Sequence, residues 1–243
     1  ADAALGSAPI NLRSSLGYTT TALFDNDLND LTLVPAPTNA DNDSIDGVFT
    51  VQPPATVTQV LINDGSAQRS TVTGLSVSFD TDVTIAPGAF QLINRNTGVV
   101  VDTSFTTSLV SGNTVATLSF LAGPSVQVRA SGNSLLDGNY QLTIDATKVT
   151  HNGVLLDGDE DALEGGDYVF GDELVDEFFR FFGDTDGDRD VDGPDFGRFG
   201  LTFRQRLGDD GFNPHLDHDG DGDVDGQDYG QFALRFRNRL DFE

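Results

Sequence analysis

The sequence predicts a multidomain, mainly β chain: a β-sandwich followed by a small α-helical domain built on paired loop–helix repeats. Three observations predict it. Short apolar runs with turn residues between them fill residues 57–170. After residue 171 the apolar spacing changes from strand-like to helical. Within that last region a loop of alternating aspartates occurs twice, starting at Asp184 and at Asp217, 33 residues apart.

Residues 1–56 read as an irregular N-terminal extension rich in Asn, Asp, Thr and Pro. Two apolar runs stand out, Thr19–Phe24 and Leu31–Val34, either of which could be exchanged as a strand with a neighbouring sheet edge. Pro53-Pro54 marks a linker or a stiff entry into a strand.

Residues 57–170 contain seven predicted strands. Val57–Ile62 opens the series. Leu75, Val77 and Phe79 alternate with Gly74, Ser76 and Ser78, which gives one apolar face. Phe90–Ile93, Val99–Val101, Phe105–Val110 and the run with Val115, Leu118 and Phe120 follow. Tyr140, Leu142 and Ile144 alternate with Gln141, Thr143 and Asp145. The breaks carry turn chemistry: Asn63-Asp64-Gly65, Pro87-Gly88, Thr97-Gly98, Ser111-Gly112-Asn113 and Asp137-Gly138-Asn139. Short strands at such spacing read as a sandwich.

Residues 171–243 carry three stripes at helical spacing: Leu174, Phe178, Phe181 and Phe182; Phe196, Phe199, Phe203 and Leu207; and Tyr229, Phe232, Phe236 and Leu240. The stripes read as the core between helices, with Phe178 to Phe182 on a third helix that packs both ways. Arg204, Arg206, Arg235, Arg237 and Arg239 are expected to offset nearby acids.

The chemistry lies in the repeated loops, Asp184–Asp195 and Asp217–Asp228. Calcium takes six to eight oxygens at about 2.3–2.6 Å, and a tight loop supplies them from alternate residues. Positions 1, 3 and 5 are Asp184, Asp186 and Asp188 in the first loop and Asp217, Asp219 and Asp221 in the second. Position 7, Asp190 or Asp223, is expected to offer its backbone carbonyl. Position 8 is Val in both loops and is expected to face the core. Position 9 is Asp192 or Asp225; position 12, Asp195 or Asp228, opens the following helix, where a carboxylate also meets the positive helix end. Position 6 favours Gly for the sharp turn; it is Gly222 in the second loop but Arg189 in the first, which predicts strain there. Two calcium ions are therefore expected. Asp157, Asp159 and Asp161 repeat the spacing and are candidates for a third. Asp41, Asp43 and Asp46 are a fainter version, and Asp25, Asp27 and Asp30 fainter still.

Composition narrows the function. The net charge is −26, and 26 of the 39 acidic residues fall in the last 87 positions, from Asp157 onward. Such a chain repels nucleic acid and anionic membranes, and acid of that density calls for cations. No apolar run is long enough to span a membrane. Cysteine is absent, so calcium replaces disulfides as the expected staple of a secreted protein. The chain also lacks methionine and begins Ala1-Asp2-Ala3-Ala4, as expected after removal of a leader or within a longer protein. No enzyme is expected. There are three histidines, no cysteine and no Gly-x-Ser-x-Gly elbow, and the clustered acids are better used on calcium.

The two loops of the form Asp-x-Asp-x-Asp-x-x-Val-x-x-x-Asp, each followed by a helix, resemble type I dockerin modules over roughly residues 172–240. That resemblance implies folding with calcium and docking onto a cohesin-like β-sandwich of another protein. In that family positions 10 and 11 help choose the cohesin; here they are Gly193-Pro194 and Gly226-Gln227, which lack the usual hydroxyl pair. Leu136–Ile144 and Leu156-Asp-Gly-Asp159 are similar to bacterial Ig-like domains. Together they resemble the C-terminal ends of secreted bacterial surface proteins, which implies an extracellular or cell-surface protein that anchors or connects. Its expected partner is another copy of itself, as in a fibre, or a β-sandwich domain of a second surface protein.

Overall fold

The fold is that of a computed structural model that describes residues 53–242 and, before them, four short strands: β1 (Ser7–Pro9), β2 (Leu23–Phe24), β3 (Asp30–Leu31) and β4 (Val48–Thr50). The chain divides into two compact units, Ala1–Pro53 and Pro54–Glu243. In the first, β1 pairs with β4 and β2 with β3, both antiparallel. The aspartates Asp25, Asp27, Asp41, Asp43 and Asp46 lie outside the described residues, as does the side chain of Asp30.

The second unit is mainly β with two helices. Its strands are β5 (Val57–Ile62), β6 (Gly74–Phe79), β7 (Thr84–Ile85), β8 (Phe90–Asn94), β9 (Val99–Val101), β10 (Thr103–Val110), β11 (Asn113–Phe120), β12 (Val126–Gln127), β13 (Ser134–Leu135), β14 (Gly138–Ile144), β15 (Val149–His151), β16 (Val154–Leu155), β17 (Tyr168–Phe170) and β18 (Phe179–Arg180). The helices are α1 (Gly193–Thr202) and α2 (Gly226–Arg235). One antiparallel sheet runs β10-β11-β6-β5; a second runs β17-β14-β8-β9, with β18 also on β14. The alternation read from the sequence has a direct structural cause. Leu75, Val77 and Phe79 of β6, Leu118 and Phe120 of β11, Leu92 of β8, and Tyr140, Leu142 and Ile144 of β14 are all buried in one core shared by both sheets.

Eight strands of 57–170 lie in these two sheets, not seven. The eighth, β17, is three residues long between Asp167 and Asp172, so it shows no alternation to read. Another correction concerns Leu174–Phe182, which forms turns and β18 rather than a helix. Pairing of Phe179 and Arg180 with Asn139 and Gly138 holds this stretch extended. Its phenylalanines are divided between two cores: Phe178 enters the sheet core, while Phe179, Phe181 and Phe182 join Val191, Phe199, Leu216, Val224 and Phe232 in a second one.

The helices also end sooner than the apolar stripes. Phe203 and Phe236 are the C-caps, and Arg204 and Arg237 follow at φ of 70° and 66°, in the left-handed region that breaks a helix. The chain then turns back. Residues 204–207 pair with loop 2 (Arg204 N to Val224 O, 2.7 Å; Leu207 N to Gly222 O, 2.8 Å). Residues 237–240 pair in the same way with loop 1 (Arg237 N to Val191 O, 2.7 Å; Leu240 N to Arg189 O, 2.8 Å). Each repeat therefore braces the loop of one unit with the tail of a helix: α1's tail holds loop 2 and α2's tail holds loop 1.

Candidate metal centre

Both loops fold by the same local rules. The position-1 carboxylate accepts two backbone N–H groups: Asp184 from Gly187 (2.6 Å) and Arg189 (3.0 Å), and Asp217 from Gly220 (2.7 Å) and Gly222 (3.0 Å). The position-12 carboxylate ties the loop start to the helix start. Asp195 accepts from Thr185 N (2.8 Å) and Asp192 N (3.0 Å); Asp228 accepts from His218 N (2.6 Å) and Asp225 N (2.7 Å). The position-4 and position-6 residues take positive φ, between 73° and 94°, which curls the backbone around the carboxylates.

Within each loop the carboxylates gather into two overlapping groups whose oxygens lie within 4.8 Å of one another. Asp184, Asp186 and Asp195 form one group and Asp190, Asp192 and Asp195 the other; Asp217, Asp219 and Asp228, with Asp223, Asp225 and Asp228, repeat them. Position 5 stays outside: Asp188 and Asp221 are exposed and accept from the backbone of Asp190 and Asp223. At position 7 the carboxylates themselves join the groups. Asp190 and Asp223 sit in the bridges with Arg239 and Arg206, and their side chains join positions 9 and 12.

The donor set fits a hard divalent cation. Asp184, Asp195, Asp217 and Asp228 are buried, and Asp186 Oδ1, Asp190 Oδ1 and Asp223 Oδ1 are buried without any hydrogen-bond partner. A buried carboxylate oxygen with no donor is costly, and a cation among several of them removes that cost. Burial pushes the Asp184 carboxyl up to about 7, against the pull of the Gly187 and Arg189 N–H groups, and pushes Asp228 up to about 6. Asp217 is raised for the same reason. Arg198 lies 2.9 Å from Asp186 and 3.9 Å from Asp195, but it is 46% exposed. The third group, Asp157, Asp159 and Asp161, is also within 4.8 Å. There Asp157 accepts from the N–H groups of Asp161 (3.1 Å) and Ala162 (3.0 Å), as Asp184 and Asp217 do from their own loops, but Asp159 and Asp161 are exposed.

No simple motif signalled how the loops are seated. Both press on the β part of the same unit. Arg69 N donates to Asp184 O (2.9 Å), and Gly187 lies so close to Ala67 that a Cβ would stand 2.2 Å from its carbonyl. On loop 2, Arg129 Nη2 donates to Asp217 O (2.7 Å) and Ala130 N to Asp219 O (3.3 Å), while a Cβ on Gly220 would stand 2.4 Å from Ser131 Oγ. Arg189, the unusual position-6 residue, keeps its left-handed backbone because its side chain is an anchor. It is buried, bonds Asn139 Oδ1, Glu177 and Leu240 O, and lies 4.3 Å over the Phe179 ring. Asp137, in the turn before β14, accepts from Arg180 and from Arg235 of α2. His215 and His218 are also spent here, on Ser70, Thr71 and Gln127.

Comparison of the chain with protein-family models, with curated proteins and with solved structures finds no match to any of them.

Proposed function

We propose that this chain is a non-catalytic, extracellular calcium-binding structural protein, a dockerin-like loop–helix pair carried on an Ig-like β-sandwich, that assembles with copies of itself or with a surface partner. A fibre subunit is the form we favour. The observation that carries the reading is the pair of repeated loops whose carboxylates converge with buried, unpaired oxygens. Calcium supplies the missing positive charge there, and extracellular calcium suits modules of about 10⁻⁴–10⁻³ M affinity. The Ig-like part of the reading is supported by Tyr140, whose hydroxyl donates to Leu136 O (2.7 Å), a contact of the kind that closes corners in such sandwiches. Because both loops also hold the β part, the cation acts as a staple in a chain without disulfides. Catalysis has no place in this reading, since the grouped acids serve as ligands and two of the three histidines serve the contact between the parts.

A second reading is a binding module that docks onto a cohesin-like domain of another protein. The exposed apolar residues on and beside the helices, Leu201, Leu207, Tyr229 and Leu234, favour it. Molar mass by light scattering, in millimolar calcium and in excess EDTA, separates the two. Large species that need calcium support self-assembly. A compact monomer in calcium removes it and leaves the docking module.

A further inference from the structure

Four edges bound the two sheets, and three of them are blunted in ways that discourage pairing with another chain. The β5 edge follows Pro53-Pro54 and carries a register shift between Val57 and Gln59. β9 and β17 are only three residues long, and Asp167 stands immediately before β17. The fourth edge, β10, is different. It is eight residues long, without proline or charge, and its register with β11 runs unbroken from Thr103↔Phe120 to Val110↔Asn113. Ser111 and Gly112, both at positive φ, close the hairpin in two residues, so the pairing with β11 continues to the end of the strand. Most of β10 is exposed, including Leu109 at 63% and Val110 at 56%, and no strand pairs with its outer side among the described residues.

Charge selects the occupant. Between Asp102 and Arg129 there is no charged residue, the longest such stretch in a chain of net charge −26. A basic partner would be drawn to the acidic C-terminal region instead. Two copies of this chain repel one another over most of their surface, and least along β10. We infer that β10 is a self-association edge, on which β10 of a second copy pairs antiparallel to join the two β10-β11-β6-β5 sheets into one continuous sheet of eight strands. An eight-residue antiparallel pair adds about eight backbone hydrogen bonds. The contact is isologous and closes as a dimer, so a fibre needs a further contact elsewhere. The inference rests on the self-assembly reading above and names one surface for it.

Because the chain has no cysteine, single introduced cysteines report the contact directly. Ser104, Thr106 and Ser108 lie on the face opposite Phe105, which packs on Phe90 at 5.1 Å between ring centroids. In a two-fold antiparallel pair a residue meets its own copy only at the axis. With Thr106 there and Ser104 opposite Ser108 of the second copy, the full chain in calcium should give disulfide-linked dimers from Thr106→Cys alone among the single variants, and from Ser104→Cys mixed with Ser108→Cys. Thr117→Cys, one strand further in, should give none, because its partner lies beyond disulfide reach. Thr106→Lys should weaken association by at least about tenfold in light scattering, with calcium binding unchanged. If the wild type is multimeric but Thr106→Lys matches it and no β10 cysteine cross-links, the β10 edge is wrong while self-assembly stands. A wild type that stays monomeric in calcium overturns both.

Discussion

Replacing Asp137 by Asn should undermine the seat of the helical part on the sheets. One oxygen of Asp137 accepts from Arg180 Nη1 and from Phe182 N; the other accepts from Arg235 Nε. Arg180 is 1% exposed, so its charge has no water to fall back on. The asparagine oxygen keeps the first two bonds. Its amide group then faces the Arg235 N–H, donor against donor, and the negative charge shared by two arginines is gone. Breaking a buried ion pair on one side costs about 3–5 kcal/mol. The Asp137 side chain is 26% exposed, so water relieves part of the loss and the lower end applies, about 3 kcal/mol. With an m-value of about 2 kcal/mol/M, the urea midpoint in saturating calcium should fall by about 1.5 M, read by circular dichroism. Lys148→Gln is the control. Its ion pair with Asp145 has side chains 41% and 33% exposed, and its loss should cost under about 0.5 kcal/mol. A loss below about 1 kcal/mol for Asp137→Asn would refute the view that this carboxylate holds α2 and β18 against the sheets.

Three further outcomes follow from the same geometry. Gly187→Ala puts a Cβ against the Ala67 carbonyl at a φ of 81°, so it should cost at least about 2 kcal/mol in calcium, by thermal or urea unfolding. Phe232→Ala empties the centre of the second core, where the ring meets Phe199 at 4.8 Å and Phe236 at 6.0 Å, and should cost about 3–5 kcal/mol. The pH dependence has a definite sign. Asp184 near 7 and Asp228 near 6 hold protons more tightly folded than unfolded, where a carboxyl titrates near 4. In EDTA that contribution is present below about pH 4 and is lost as pH rises through 6 and 7. Calcium competes with those protons, so the gap in thermal midpoint between calcium and EDTA should widen from pH 5 to pH 7.5; a gap that narrows would contradict it.

The strands and helices were legible where one face is buried. β6 and β14 alternate cleanly because each sends every second side chain into the shared core. α1 and α2 announce themselves through the loops that cap them. Legibility failed where a segment serves two neighbours. Phe178 and Phe179 are adjacent yet enter different cores, and together with Phe181 and Phe182 they imitate helical spacing in a stretch that pairs with β14. The stripes overran the helix ends because Phe203 and Phe236 remain packed on the helical core after the backbone has turned away. In the loops, the carboxylate spacing was plain. The seat of the loops was not, since it depends on pairs as distant as Arg129 with Asp217 and Asn139 with Arg189, which no local pattern encodes. Arg189 was visible only as a departure from glycine; its burial explains why the loop tolerates it, against a left-handed cost of about 1–2 kcal/mol.

The central claim is that the two repeated loops bind calcium. Its most direct test is a calorimetric titration of the calcium-stripped chain, with bound calcium counted per chain in the wild type, in Asp184→Asn and in Asp217→Asn. The account predicts that each substitution removes one ion, and that the double variant loses both. No binding at millimolar calcium, or an unchanged count in the double variant, would contradict it.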